Sequence, residues 1–71
     1  YQVVFQKAAL LSDKDIKIIK DVLREVHKNN NYALLAPLTK KIKEVTGIET
    51  SMIPLEFVET ILKDHSHLAN N

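Results

Sequence analysis

Residues 38–49, with the sequence LTKKIKEVTGIE, decide how this chain folds, because they contain its only glycine. Ile42 and Val45 fall on one face of a helix, and Gly47 can adopt the left-handed conformation that ends one. Ile48 then stands where a Schellman-type helix end places an apolar contact against the preceding turn. The stretch therefore predicts the end of one amphipathic helix and a turn into another.

The clearest helical pattern lies upstream, over residues 12–29. Ser12 is a favourable N-cap, and Asp15, three residues later, completes a capping box. The asparagines at positions 29–31 suit caps and left-handed turns better than a helix interior, so the helix should end there. Apolar residues recur between these ends at helical spacing, which predicts a buried face: Ile16, Ile19, Leu23 and Val26.

The second helix is predicted over residues 37–46. Pro37 suits the first helical position, and a proline disfavours the α conformation in the residue before it. Residues 32–36 are therefore expected to form an apolar segment that leads into the helix, with Ala36 outside it. The predicted buried face comprises Leu38, Ile42 and Val45.

The third helix is predicted over residues 52–65, with Thr50 or Ser51 as its cap and Pro54 in its first turn. Beyond His65 the chain is expected to fray. Apolar residues at helical spacing give this segment one face for the core: Leu55, Val58, Ile61 and Leu62.

The ambiguous N-terminal segment, residues 1–11, fits a short fourth helix better than a strand, which would have no partner in this chain. The prediction is an all-α fold, a small bundle of three main helices, forming a single interaction domain over residues 1–71. The chain begins at Tyr1 rather than methionine, so we expect a domain excised from a longer protein. Its 71 residues contain no cysteine, which suits a reducing, intracellular compartment. No apolar run approaches the roughly 20 residues that span a bilayer, so no membrane association is expected.

Charge is unevenly distributed along the chain. Residues 1–43 carry nine Lys or Arg against four Asp or Glu, whereas residues 44–71 carry one lysine against five acids. A bipolar surface of this kind can bind a charged partner through one end. The phosphate backbone of RNA or DNA could bind the basic end without sequence readout, and the candidate contacts are Lys40, Lys41, Lys43, Lys17, Lys20 and Arg24.

No set of residues predicts catalysis, a cofactor, a small-molecule substrate or a metal site. His65 and His67 are two positions apart, which differs from the one-turn spacing of helical zinc ligands, so solvent-exposed histidines are expected. A DNA-reading helix-turn-helix also fails, because Lys43 would occupy its small buried position. Its recognition helix would carry Glu56 and Glu59 but no arginine.

The apolar residues near the third helix have two possible roles. Met52, Ile53 and Phe57 either belong to the core or leave an apolar patch for a protein partner.

A family resemblance emerges from the same region. Residues 39–49, TKKIKEVTGIE, combine a basic amphipathic helix with Glu-x-x-Gly and an acidic turn. Residues 55–58, LEFV, followed by Ile61 and Leu62, form an acidic-aromatic-valine helix. In this combination, residues 38–62 resemble the PWI domain, a small helical-bundle module of pre-mRNA splicing factors.

Residues 36–38, Ala-Pro-Leu, stand where that family has Pro-Trp-Ile. A weaker likeness is to the C-terminal helical domain of the DEK chromatin protein, through residues 11–15, LSDKD, and the spacing from Leu38 to Gly47 to Phe57. Both families are non-enzymatic, nuclear and associated with nucleic acid or its protein machinery.

The resemblance thus implies a non-catalytic PWI-like interaction module of a nuclear RNA-processing or chromatin protein. Such a module would bind nucleic acid weakly through its lysines, a protein partner, or both. The alternative is a purely protein-docking or oligomerisation domain that uses the apolar surface around the third helix.

Overall fold

The computed structural model describes residues 1–70, which form three α-helices and two 3₁₀ helices. The α-helices are α1 (Asp13–Asn29), α2 (Leu35–Thr46) and α3 (Pro54–Ala69), and the 3₁₀ helices span Gln6–Leu10 and Tyr32–Leu34. No strand occurs within residues 1–70. The predicted all-α bundle of three main helices is confirmed, and the short N-terminal element is a 3₁₀ helix.

Helix α1 begins and ends at its predicted caps. The Ser12 hydroxyl accepts the Asp15 N–H at 3.1 Å, and the Asp15 carboxylate accepts the Ser12 N–H at 3.0 Å, which completes the capping box. Asn30 ends the helix in the left-handed conformation, with φ of 53°. All four residues of the predicted apolar face are buried.

Helix α2 begins at Leu35, two residues earlier than predicted, and directly follows the Tyr32–Leu34 3₁₀ helix. Ala36 is helical, so its expected exclusion from the α region was wrong. Pro37 is the third residue of α2, where a backbone N–H would have no intrahelical partner in any case. The proline therefore removes no helical hydrogen bond at this position.

The buried face of α2 is rotated relative to the prediction. Leu38 and Ile42 are buried as expected, but Val45 is 39 % exposed. The remaining buried residues of this face are Leu35, Thr39 and Thr46. Two threonines contribute to the face, which is why hydropathy alone did not locate its centre.

The end of α2 lies at Gly47, as predicted, with φ of 74°. The Gly47 N–H donates to the Lys43 carbonyl at 2.8 Å. Thr46 then bridges the turn, since its hydroxyl donates to the Ile42 carbonyl at 2.7 Å and accepts the Ile48 N–H at 3.2 Å. A side chain thus takes the place of one backbone bond of the predicted Schellman end, and Ile48 is buried as expected.

Helix α3 begins at Pro54, two residues later than predicted. Its cap position is Ile53, which forms no side-chain capping bond, whereas the Thr50 hydroxyl accepts the Met52 N–H at 3.2 Å within the preceding loop. The C-terminal end was also predicted wrongly, because α3 continues to Ala69. His65 secures this last part by donating to the Leu11 carbonyl at 3.2 Å.

The core lies along α3, against the N-terminal 3₁₀ helix and the other two helices. Phe57, Val58 and Ile61 are completely buried, as are Ala8 of the 3₁₀ helix and Val26 of α1. The ring of Phe5 packs edge-to-face on Phe57, with centroids 5.4 Å apart. The N-terminal segment is therefore part of the core.

Candidate functional site

The three lysines of α2 lie along two different grooves. Lys40 and Lys43 line a groove of about 760 Å³ between α2 and the segment that leads to α3. Lys41 lines a separate, smaller groove between α1 and α2. The structure therefore brings two of the three predicted phosphate contacts together and separates the third.

Lys43 also has a structural role. Its ammonium group donates to the Thr50 carbonyl at 3.2 Å and lies 5.7 Å from the centroid of the Phe57 ring. The side chain is half-buried and connects α2 to the loop before α3. Of the two lysines in this groove, Lys40 is the one that is exposed.

A further lysine approaches the same turn from the N-terminal 3₁₀ helix. Lys7 lines a neighbouring groove of about 510 Å³, which shares Gly47 and Ile48 with the first groove. Its Nζ lies 4.0 Å from the place that a Cβ on Gly47 would occupy. Sequence reasoning missed Lys7, and no local pattern signals it, because 40 residues separate it from the glycine.

The groove beside Lys40 also contains carboxylates and a buried hydroxyl. Glu44 and Glu49 line it together with the lysines, so the positive potential is partly offset. Thr39 lines the same groove, and its buried hydroxyl makes no hydrogen bond within residues 1–70. Buried polar groups are nearly always paired, so this hydroxyl is an exception in the fold.

The basic residues of α1 do not line either groove at the Gly47 turn. Lys17, Lys20 and Arg24 are all exposed, and Lys20 lines a groove of about 600 Å³ between α1 and α3. Arg24 is paired with Asp21 at 3.1 Å on the surface. An exposed pair of this type contributes little to stability and partly neutralises the arginine.

The predicted apolar patch does not form as a unit. Phe57 is completely buried and belongs to the core, because α3 packs this face against Phe5 and the other helices. Met52 is half-buried against the core. Ile53 alone projects into solvent, with 67 % of its surface exposed.

A second apolar feature lies between α1 and α2. Ile18 and Val45, 46 % and 39 % exposed, line a small groove together with the buried Ile42. Asp15 and Lys41 line it as well. The pKa of Asp15 is lowered, first by the hydrogen bond from the Ser12 backbone, then by the Ser12 hydroxyl and, more weakly, by the charge of Lys41.

Like Lys7, Asp64 is a charged residue whose role sequence reasoning missed. Its side chain is completely buried on α3, and its carboxylate accepts the N–H groups of Val4 and Phe5 at 3.1 and 2.7 Å and the hydroxyl of Tyr1. The pKa of Tyr1 is raised, mainly by this hydrogen bond to Asp64. A signal was present, because Asp64 lies at helical spacing from Ile61 and Leu68 on the apolar face.

The histidines of α3 make contacts within the protein. His67 is exposed as expected, although it stacks on the ring of Tyr1 with centroids 4.6 Å apart. His65 is half-buried, so the expectation of a solvent-exposed side chain was wrong for this residue. Across residues 1–70, no three His, Cys, Asp or Glu side chains come close enough together to hold a metal ion.

The described part of the chain contains no helix with both the length and the apolar character that crossing a bilayer requires. No curated protein and no solved structure matches the chain. A family model does match, and it covers residues 1–71. The chain therefore belongs to the family described as "Domain of unknown function (DUF8484)".

Proposed function

We propose that this chain is a non-catalytic interaction module that binds the phosphate backbone of RNA or DNA weakly. The observation that carries the proposal is the grouping of Lys7, Lys40 and Lys43 around the Gly47 turn. Cations from separate elements that surround one turn can contact successive phosphates without reading bases. The resemblance of residues 38–62 to the PWI domain supports a place in a nuclear RNA-processing or chromatin protein.

The surface around the Gly47 turn also limits the affinity for nucleic acid. Glu44 and Glu49 border the groove, and Lys43 is partly engaged by the Thr50 carbonyl. Few phosphates can therefore be neutralised at once, and each contact releases counterions that make binding sensitive to salt. Weak, salt-sensitive and sequence-independent binding is the expected behaviour.

Fluorescence anisotropy with single-stranded RNA and duplex DNA of mixed sequence tests this function. Binding should weaken steeply between about 50 and 200 mM salt. Lys40→Gln should weaken it further and reduce the salt slope by about 1. The matched control is Lys28→Gln, an exposed lysine of α1, which should bind like the wild type. Salt-independent binding, or no binding at low salt, would contradict the proposal.

A second function, protein docking or oligomerisation near α3, is favoured by the exposure of Ile53. The backbone at Ile53 is fixed, because its carbonyl accepts the Phe57 N–H at 2.8 Å at the start of the helix. Sedimentation should then show self-association that Ile53→Gln abolishes. Ile18→Gln, an equivalent change between α1 and α2, is the control and should leave association intact. A monomer at all concentrations argues against the oligomerisation form of this function.

A further inference from the structure

Residues 1–5, which we term the strap, lie outside the helices and are held on α3 by one buried carboxylate. Asp64 accepts two consecutive backbone N–H groups, from Val4 and Phe5, and the hydroxyl of Tyr1. Hydrogen bonds to an ionised acceptor are about twice as strong as those between neutral groups. The charge on Asp64 therefore contributes to all three bonds at once.

Apart from the bonds to Asp64, the strap contacts α3 through the aromatic rings of Tyr1 and Phe5. The side chains of Tyr1, Gln2 and Val4 are exposed, and only Val3 and Phe5 are partly buried. Because hydrophobic stabilisation scales with the apolar area removed from water, the exposed side chains add little. The polar contacts to Asp64 consequently carry a large share of the attachment.

The chain after Phe5 is attached in a different way. Ala8 of the 3₁₀ helix is completely buried and Leu11 is buried beside it, and both belong to the main core. These apolar contacts do not depend on the charge of Asp64. Phe5 joins the two parts, because its carbonyl accepts the Ala8 N–H at 3.1 Å, so the boundary for local opening lies at Phe5.

We propose that the strap is releasable: it is held on α3 while the Asp64 carboxylate is charged, and it detaches as a unit when that carboxylate is neutralised. The three helices stay folded in the released state. Local opening of this kind occurs where few apolar contacts secure a segment. Release would uncover the face of Phe57 that the Phe5 ring now covers.

Acidification is the direct way to release the strap, because the carboxylate is the form that accepts all three donors. A protonated carboxyl would direct its own hydrogen at one of them. The other titratable groups around the strap are the Tyr1 phenol, Lys63 with its ammonium 4.7 Å from the Tyr1 ring centroid, and His67 stacked on that ring. His65 is bonded to the Leu11 carbonyl, and Lys7 lies near Gly47.

Amide hydrogen exchange of the 71-residue chain, acetylated at Tyr1 to remove the amine charge, tests the proposal. As the pH falls, the Val4 and Phe5 amides should lose protection before those of Ile19 and Ile61. Asp64→Asn should accelerate exchange of the Val4 and Phe5 amides about 10- to 100-fold at neutral pH and leave the helices protected. Asp15→Asn is the matched control, since it neutralises a carboxylate that accepts a backbone N–H at the start of α1, and it should not affect the strap.

Two further variants separate the contributions. Tyr1→Phe removes one of the three donors and should release the strap partially, whereas Tyr32→Phe should have no effect. In His67→Gln the acid-dependent release should persist, because the Asp64 carboxylate, which takes up the proton, is still present.

Three results would overturn the proposal. The first is unchanged protection of Val4 and Phe5 in Asp64→Asn. The second is loss of protection throughout the helices in that variant, because the strap would then be inseparable from the fold. The third is loss of the pH dependence in His67→Gln.

Discussion

The Gly47 turn and the strap are both held by side chains that satisfy backbone groups, but they differ in the range of their contacts. At the turn, Thr46 bonds to Ile42 and Ile48, and Lys43 reaches Thr50 only seven residues away. At the strap, Asp64 bonds to groups 59 to 63 residues away in the chain.

This difference in range has a consequence for cooperativity. The bonds of the turn can form as soon as the end of α2 is helical, because their partners are neighbours in the chain. The bonds of Asp64 exist only after α3 has packed against the N-terminal segment, so they depend on the whole fold. Perturbing the core beneath the strap should therefore have larger effects than perturbing either helix end.

The largest effect is expected from Phe57→Ala. Phe57 is completely buried and contacts Phe5 and the Lys43 ammonium, so its loss leaves a cavity and removes the support of the strap. The free energy of unfolding, measured by urea denaturation, should fall by about 3–5 kcal/mol. Leu55→Ala, a half-buried position on the same helix, is the control and should cost less. An equal loss in both variants would show that Phe57 has no special role.

A smaller effect is expected at the turn, from Gly47→Ala. A Cβ at this position would meet only Lys7 Nζ, at 4.0 Å, so the cost comes from the left-handed backbone and not from a clash. That cost is about 1–2 kcal/mol in the free energy of unfolding. Gly47→Asn should cost less, because asparagine tolerates this conformation, as Asn30 does at the end of α1. If alanine and asparagine cost the same, backbone strain is not the cause.

The smallest of the three effects should come from the cap of α1. Ser12→Ala removes the acceptor for the Asp15 N–H and should lower the free energy of unfolding by about 1 kcal/mol. The strap is separated from Ser12 by the Gln6–Leu10 3₁₀ helix, so it should keep its amide protection. Loss of strap protection would mean that the cap of α1 and the strap are coupled.

The same cap makes a pH-dependent contribution. The pKa of Asp15 is lowered in the folded protein, mainly by the bond from the Ser12 backbone, so this stabilisation is complete above the ordinary aspartate pKa. It is lost as the pH falls through the lowered value. The difference in unfolding free energy between the wild type and Asp15→Asn should therefore shrink on acidification. A constant difference would show that the carboxylate charge does not matter.

Predictions that relied on neighbouring residues were the accurate ones. The capping box of α1 and the left-handed end at Gly47 were predicted correctly, because each depends on atoms a few positions apart. The starts of α2 and α3 were each misplaced by two residues, since Pro37 lies within the first turn of α2 and no side chain caps α3.

The candidate site was predicted less completely. Lys40 and Lys43 share a groove as the basic face suggested, but Lys41 faces a different one and Lys7 was missed. Helical spacing shows which residues share a face. It does not show which neighbouring element will close a groove over that face.

The sequence by itself determined the three helices, the Gly47 turn and most of the apolar faces, because helix caps and periodicity act within about one or two turns of chain. Only the tertiary structure decided that Phe57 lies in the core, that Val45 is left at the surface, and that Asp64 holds residues 1–5. These outcomes depend on how the helices pack against one another. For Phe57 and Asp64, the partners lie in residues 1–5, at the opposite end of the chain.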